Sequence, residues 1–159
     1  MGLDATVYCN CFESGRLEEP PPNSSSVYVA PDGSLDCKSE DLEALLVFDT
    51  WLRESACEHK DGVLQHHYIG NLTLVGLLHE ELKQDSEKFP ILLEKILYSS
   101  SHAGDYLSLA DVSNLQVELK ALAEFAATDE KRQIYIEEFR LQMQELIGAA
   151  LSVGKPISF

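Results

Sequence analysis

The sequence predicts an α+β fold, a small and mostly antiparallel sheet packed by about five helices, with residues 1–159 forming a single domain. Three observations carry that expectation. The N-terminal "LDATVYCNCF" alternates partly between apolar and polar residues and is rich in strand formers. Five later windows repeat apolar residues at helical spacing, each behind a capping residue or a proline. Between the first two of them lies "VLQHHYI", too short and too β-branched at its ends for a helix. With 159 residues, 45% of them hydrophobic, the chain can bury the core such a fold needs.

Taken in order, a first strand is expected over 3–12, followed by an exposed Pro/Ser-rich loop, "ESGRLEEPPPNSSS". "VYVAPDGSLD" reads as a strand ending in a turn, because Pro31 presets φ and Gly33 tolerates a positive φ. Together these segments suggest an N-terminal hairpin or meander. Ser39 is placed to cap a helix running to about residue 55, with Leu42, Leu45, Leu46, Phe48 and Leu52 on its apolar face. Trp51 on that helix is expected to be a packing anchor. After the turn "HKDGV" comes the strand 63–69, which Gly70 should break before Asn71 caps a helix with Leu74, Leu77, Leu78 and Leu82 as its stripe. Pro90 starts a short helix in "FPILLEKILY", and a brief strand is expected at Asp105–Leu107. Ser108 opens a helix over about 109–126. Thr128 is read as the cap of the longest helix, 129–152, with Ile136, Phe139, Met143, Leu146, Ile147 and Ala150 inward. "GKPISF" suits an edge strand, where Pro156 costs no central ladder bond.

Charge narrows the function classes. With 27 acidic and 12 basic side chains, the net charge of −15 repels nucleic acid phosphate and steers the chain towards cationic partners. The N-terminus lacks the basic start and apolar run of a signal peptide, and "LTLVGLL" is too short to span a bilayer. The expected address is the cytoplasm, where Cys9, Cys11, Cys37 and Cys57 should be reduced thiols. Cys9 and Cys11, two apart, are expected to share one face of the first strand rather than to bind metal, since no second cysteine pair accompanies them.

The stretch "SACEHKDGVLQHHYIGN" concentrates candidate chemistry. Cys57 with His59 or His67 could make a nucleophilic dyad, and His102 with Asp105 could orient an imidazole for proton transfer. Imidazole and thiolate are also zinc ligands, but no HExxH, CxxC…CxxC or Cys2His2 spacing is present. His66 and His67 point to opposite sides of their strand, so only one can join a given cluster. There is no GxSxG elbow, phosphate loop or dinucleotide fingerprint. The residues therefore do not specify an enzyme, and neither a cofactor nor a metal is expected. A small metal- or cysteine-dependent enzyme using Cys57, His59, His67, His102 and Asp105 is the alternative.

The segments "MGLDATVYC", "ACEH…IGN", "HAGDYL" and "ALSVGKPISF" resemble a group of small uncharacterised acidic bacterial proteins, and the general build resembles immunity proteins of polymorphic toxin systems. That resemblance implies a cytoplasmic α+β domain that binds and blocks a toxin; it carries over no individual residue. Its expected partner is a protein with a basic surface, not nucleic acid and not a membrane. Glu80, Glu81, Asp85 and Glu87 form one candidate contact patch, and Asp129, Glu130, Glu137 and Glu138 on the last helix form a second.

Overall fold

A computed structural model describes residues 2–102 and 104–159. Its first strand, β1 (Gly2–Tyr8), buries Leu3, Ala5 and Val7 on one face. β1 does not pair with the next strand in sequence. It runs antiparallel to β4 (Val63–Asn71), from Gly2 opposite Asn71 to Tyr8 opposite Val63. Instead β2 (Val27–Val29) and β3 (Leu35–Cys37) pair with each other as a separate hairpin. The Pro-Asp-Gly turn between them is closed by the Gly33 amide on the Ala30 carbonyl, 2.9 Å, with Gly33 at φ 90°. The N-terminal meander is thus replaced by two sheets, because the loop that β1 enters carries the chain away before β2 begins.

The helices follow their periodicity, with shifts in their caps. α1 (Leu42–Glu54) starts behind Asp41, whose carboxylate accepts the Glu43 amide; Ser39 lies two residues further out and its hydroxyl accepts the Asp41 amide instead. Phe48 and Trp51 are its buried residues, and the Trp51 indole donates to the Glu19 carbonyl at 3.0 Å. Leu42 and Leu46, expected inside, face water. α2 (Leu72–Leu82) is capped by Asn71 as expected. A helical segment restarts at Pro90, with a π-type turn over Leu92–Ile96. The buried Glu118 carboxylate of α3 (Leu109–Ala123) accepts the Ile91 and Leu92 amides there, at 2.8 and 2.9 Å. Ser108 caps α3. α4 (Glu130–Val153) buries all six residues expected of it, but its cap is Asp129. Thr128 gives its amide and hydroxyl to Glu81 instead.

Two short strands complete the larger sheet, β5 (Tyr106–Leu107) and β6 (Ile157–Ser158), in the order β4-β1-β6-β5 with every pairing antiparallel. β6 is therefore internal, not an edge. Pro156 is tolerated because it precedes the strand and owes the ladder no amide. The α+β class with a small antiparallel sheet is as the sequence predicts, and among the described residues no helix is long and apolar enough to cross a membrane.

Apolar packing divides in two. The large core lies between the four-stranded sheet and α2–α4. The small one holds Val27, Cys37, Phe48, Trp51 and Ala56, between the β2–β3 hairpin and α1.

Gly70 does not end β4. It sits beside a register shift, where Leu3 faces Gly70 but Asp4 faces Tyr68, so the strand is bulged rather than broken. A Cβ at Gly70 would meet the Leu74 Cδ2 at 2.7 Å as α2 crosses the strand end. Gly70→Ala should cost about 1–3 kcal/mol through overpacking. Gly76, in the interior of α2 with nothing within 4 Å of such an atom, offers the contrast. Gly76→Ala should stabilise by about 0.5–1 kcal/mol. Urea unfolding of the two variants checks both signs.

Candidate metal centre

The end of the β1–β4 ladder sets the site. Beyond Tyr8 the ladder finishes with the Cys9 amide on the Gly62 carbonyl, 2.8 Å. Cys9 and Cys11 therefore lie past the strand, in the turn that leaves it, and not on a shared strand face. On the other side α1 ends with the Ser55 and Ala56 amides both on the Trp51 carbonyl. Ala56 plugs into the small core, and a tight 3₁₀ turn at Lys60–Gly62 leads into β4. Asp61 and Gly62 both take positive φ there, 55° and 68°. This folds Cys57-Glu58-His59 back over Cys9-Asn10-Cys11.

The four donor atoms meet. Cys9 Sγ is 3.8 Å from Cys57 Sγ, Cys11 Sγ is 3.4 Å from His59 Nδ1, and Cys57 Sγ is 3.9 Å from the same nitrogen. All four lie within 4.8 Å of one another. A tetrahedral zinc with bonds of about 2.3 Å to sulfur and 2.0–2.1 Å to nitrogen needs neighbours roughly 3.8 Å apart for two sulfurs and 3.5 Å for sulfur and nitrogen. The residues present fit that shape. Cys11 and Cys9 are buried, while Cys57 and His59 are half-buried at the rim.

The thiol chemistry disfavours one use. Burial, reinforced by hydrogen bonding and charge from Cys9 and Cys57, pushes the Cys11 thiol up to about 12. Burial also raises Cys57. A reactive cysteine needs the opposite shift, so without a metal Cys11 and Cys57 are protonated at neutral pH and poor nucleophiles.

The remaining candidates are held elsewhere. His67 Nε2 contacts Glu145 on α4 at 2.7 Å, alongside Gln65. His66 faces Thr6 and Asp4 on the opposite side of the sheet strand. His102 is buried between the Tyr98 and Phe159 rings, its Nε2 against the Ile96 carbonyl at 2.8 Å. Asp105 is engaged by the Tyr98 hydroxyl and lies 3.8 Å from His102 Nδ1. The proposed set of Cys57, His59, His67, His102 and Asp105 thus separates, with only Cys57 and His59 together, because alternation along β4 and the loop before β5 send the others to different surfaces. Cys9 and Cys11 were the missing members. The usable signal was a pair of matching Cys-x-ligand motifs, Cys-Asn-Cys and Cys-Glu-His, flanking two segments able to pair as strands.

Among the acidic candidates, Glu81 is wholly buried and cannot face a partner. Its carboxylate takes the Thr128 amide and hydroxyl at 3.0 and 2.8 Å and the Arg132 guanidinium. Glu80, Asp85, Glu87, Asp129, Glu130, Glu137 and Glu138 are exposed. No family model, curated protein or solved structure matches the chain.

Proposed function

We propose that the chain is a non-enzymatic, cytoplasmic binding protein that uses its acidic surface to engage a protein with a basic one, in the manner of an immunity protein masking a toxin. One observation supports this reading above others: exposed carboxylates from separate elements gather at one corner. The Glu81 contacts tie the C-terminal end of α2 to the start of α4. That contact brings Glu80 of the first patch and Asp129 of the second to the same guanidinium, that of Arg132. Arg132 reports the crowding: its pKa is raised by the Glu81 hydrogen bond first, and also by the charges of Asp129 and Glu80. Asp85 is answered by Lys88 at 2.7 Å and Asp129 by Arg132 at 3.2 Å. Glu80, Glu87 and Glu130 make no ion pair among the described residues, so their charge is free to act outward. Glu137, about two turns further along α4, is paired with Arg140. The enzyme alternative is weakened by the scatter of its histidines and by the raised thiol pKa values.

Affinity capture from the native host, followed by kinetics with the captured protein, tests the proposal. The association rate should fall as salt rises past about 0.1 M, where the Debye length is about 10 Å. Glu80→Gln, Glu87→Gln and Glu130→Gln together should slow association on the order of tenfold while changing dissociation less. A captured partner with no basic surface, or an association rate indifferent to both salt and the triple variant, would contradict it.

A further inference from the structure

We propose that Cys9, Cys11, Cys57 and His59 bind one zinc(II) ion as a closed structural centre that fastens the small core to the end of the main sheet. The donor chemistry selects the ion. Three thiolates and an imidazole suit zinc, whereas magnesium and calcium require oxygen ligands. Four protein donors fill a tetrahedron and leave no position for water or substrate, which is the mark of a structural site. On binding, each of the three thiols gives its proton to solvent and the imidazole binds as the neutral base through Nδ1. The centre then carries one net negative charge, from one Zn²⁺ and three thiolates.

Position explains the need. The small core has five buried residues, with Phe12, Leu17, Leu35, Leu45 and Leu52 only partly buried against them, a modest apolar base that a metal crosslink would strengthen. Cys57 and His59 follow directly on Ala56 of that core, while Cys9 and Cys11 extend from β1 of the main sheet. A metal ion shared between them crosslinks the two packing units at the point where they meet. Polar contacts reinforce the same junction from the other end of the chain. The buried Lys155 ammonium donates to the Gly33 carbonyl at 3.0 Å and pairs with Glu13 at 2.5 Å, and the Ser158 hydroxyl reaches Asp32 at 3.2 Å. The zinc centre uses none of the acidic-corner residues and stands whether or not that corner binds a partner.

The experiment is metal analysis of full-length protein made without a polyhistidine tag or chelator, paired with cobalt(II) substitution. The expected result is about one zinc per chain. Cobalt exchange should give thiolate charge-transfer absorption and the intense visible bands of a tetrahedral ion. Cys11→Ser should lose the metal. Cys37→Ser, which alters a buried cysteine of the small core outside the donor set, should retain it, separating ligand loss from simple core damage. His59→Cys should also retain it, with stronger charge-transfer absorption. Folded, reduced protein that takes up no added zinc would overturn the proposal. So would a Cys9–Cys57 disulfide in protein purified under mild conditions, or metal retained undiminished in Cys11→Ser.

Discussion

Stripping zinc with a chelator is expected to lower the melting temperature by roughly 10–15 °C. A ligand bound by the native state alone stabilises it by about 4 kcal/mol at a thousandfold excess over Kd. In a domain of this size each kcal/mol moves the midpoint by about 2–4 °C. The loss should also be uneven. The small core depends on the centre, whereas α3 and α4 are packed into the large core through Leu115, Leu122, Phe139 and Met143. Amide exchange should therefore accelerate first in α1 and the β2–β3 hairpin, with α4 keeping its protection. Thermal melting with and without chelator, followed by exchange on the same samples, measures both effects. A shift under about 2 °C would be too small for the fastening role.

Glu81→Ala should be the most damaging single change at the acidic corner, costing about 2–3 kcal/mol. The loss arises from groups left behind. The Thr128 amide and hydroxyl lose their acceptor, and the start of α4 loses its tie to α2. Arg132 is partly exposed and can turn to Asp129 or to water, which keeps the cost below that of a fully buried pair. The pH dependence follows from the carboxyl's environment. Burial alone would raise its pKa, but the Thr128 amide, the Arg132 guanidinium and the Thr128 hydroxyl together hold it below the ordinary carboxylate range. Its folded pKa is thus lower than its unfolded one, so its contribution is complete above the unfolded value and disappears as pH falls through the folded one. Glu81→Gln should accordingly be weakest relative to the parent at neutral pH, and the two should converge in acid. Urea unfolding across that range gives the comparison. Parallel curves at every pH would show that folding leaves the Glu81 pKa at its unfolded value, against the lowered one expected.

These residues show where sequence reading reaches its limit. Helical periodicity and caps are local, so Asn71, Ser108 and the six inward residues of α4 could be read directly. Strand pairing is not local. Nothing near β1 says that its partner is β4 rather than β2, and the order β4-β1-β6-β5 depends on contacts across the whole chain. The metal-ligand set fell in that gap. Each half looked like a weak motif, because two half-sites separated by a helix and a hairpin become one only through the β1–β4 register. Glu81 was misplaced for a related reason. On α2 it sits beside the exposed Glu80, and only the approach of α4 buries it. Thr128 and Ser39 were each displaced as caps by a neighbouring aspartate with the better-placed carboxylate.

X-ray absorption at the zinc edge tests most directly whether the centre is closed and structural or open and catalytic. The account predicts three sulfur neighbours at about 2.3 Å and one nitrogen at about 2.0–2.1 Å, with no further light atom in the first coordination sphere. Two sulfurs with an added oxygen at water distance would contradict it, since an exchangeable ligand would mark a site built to act on substrate.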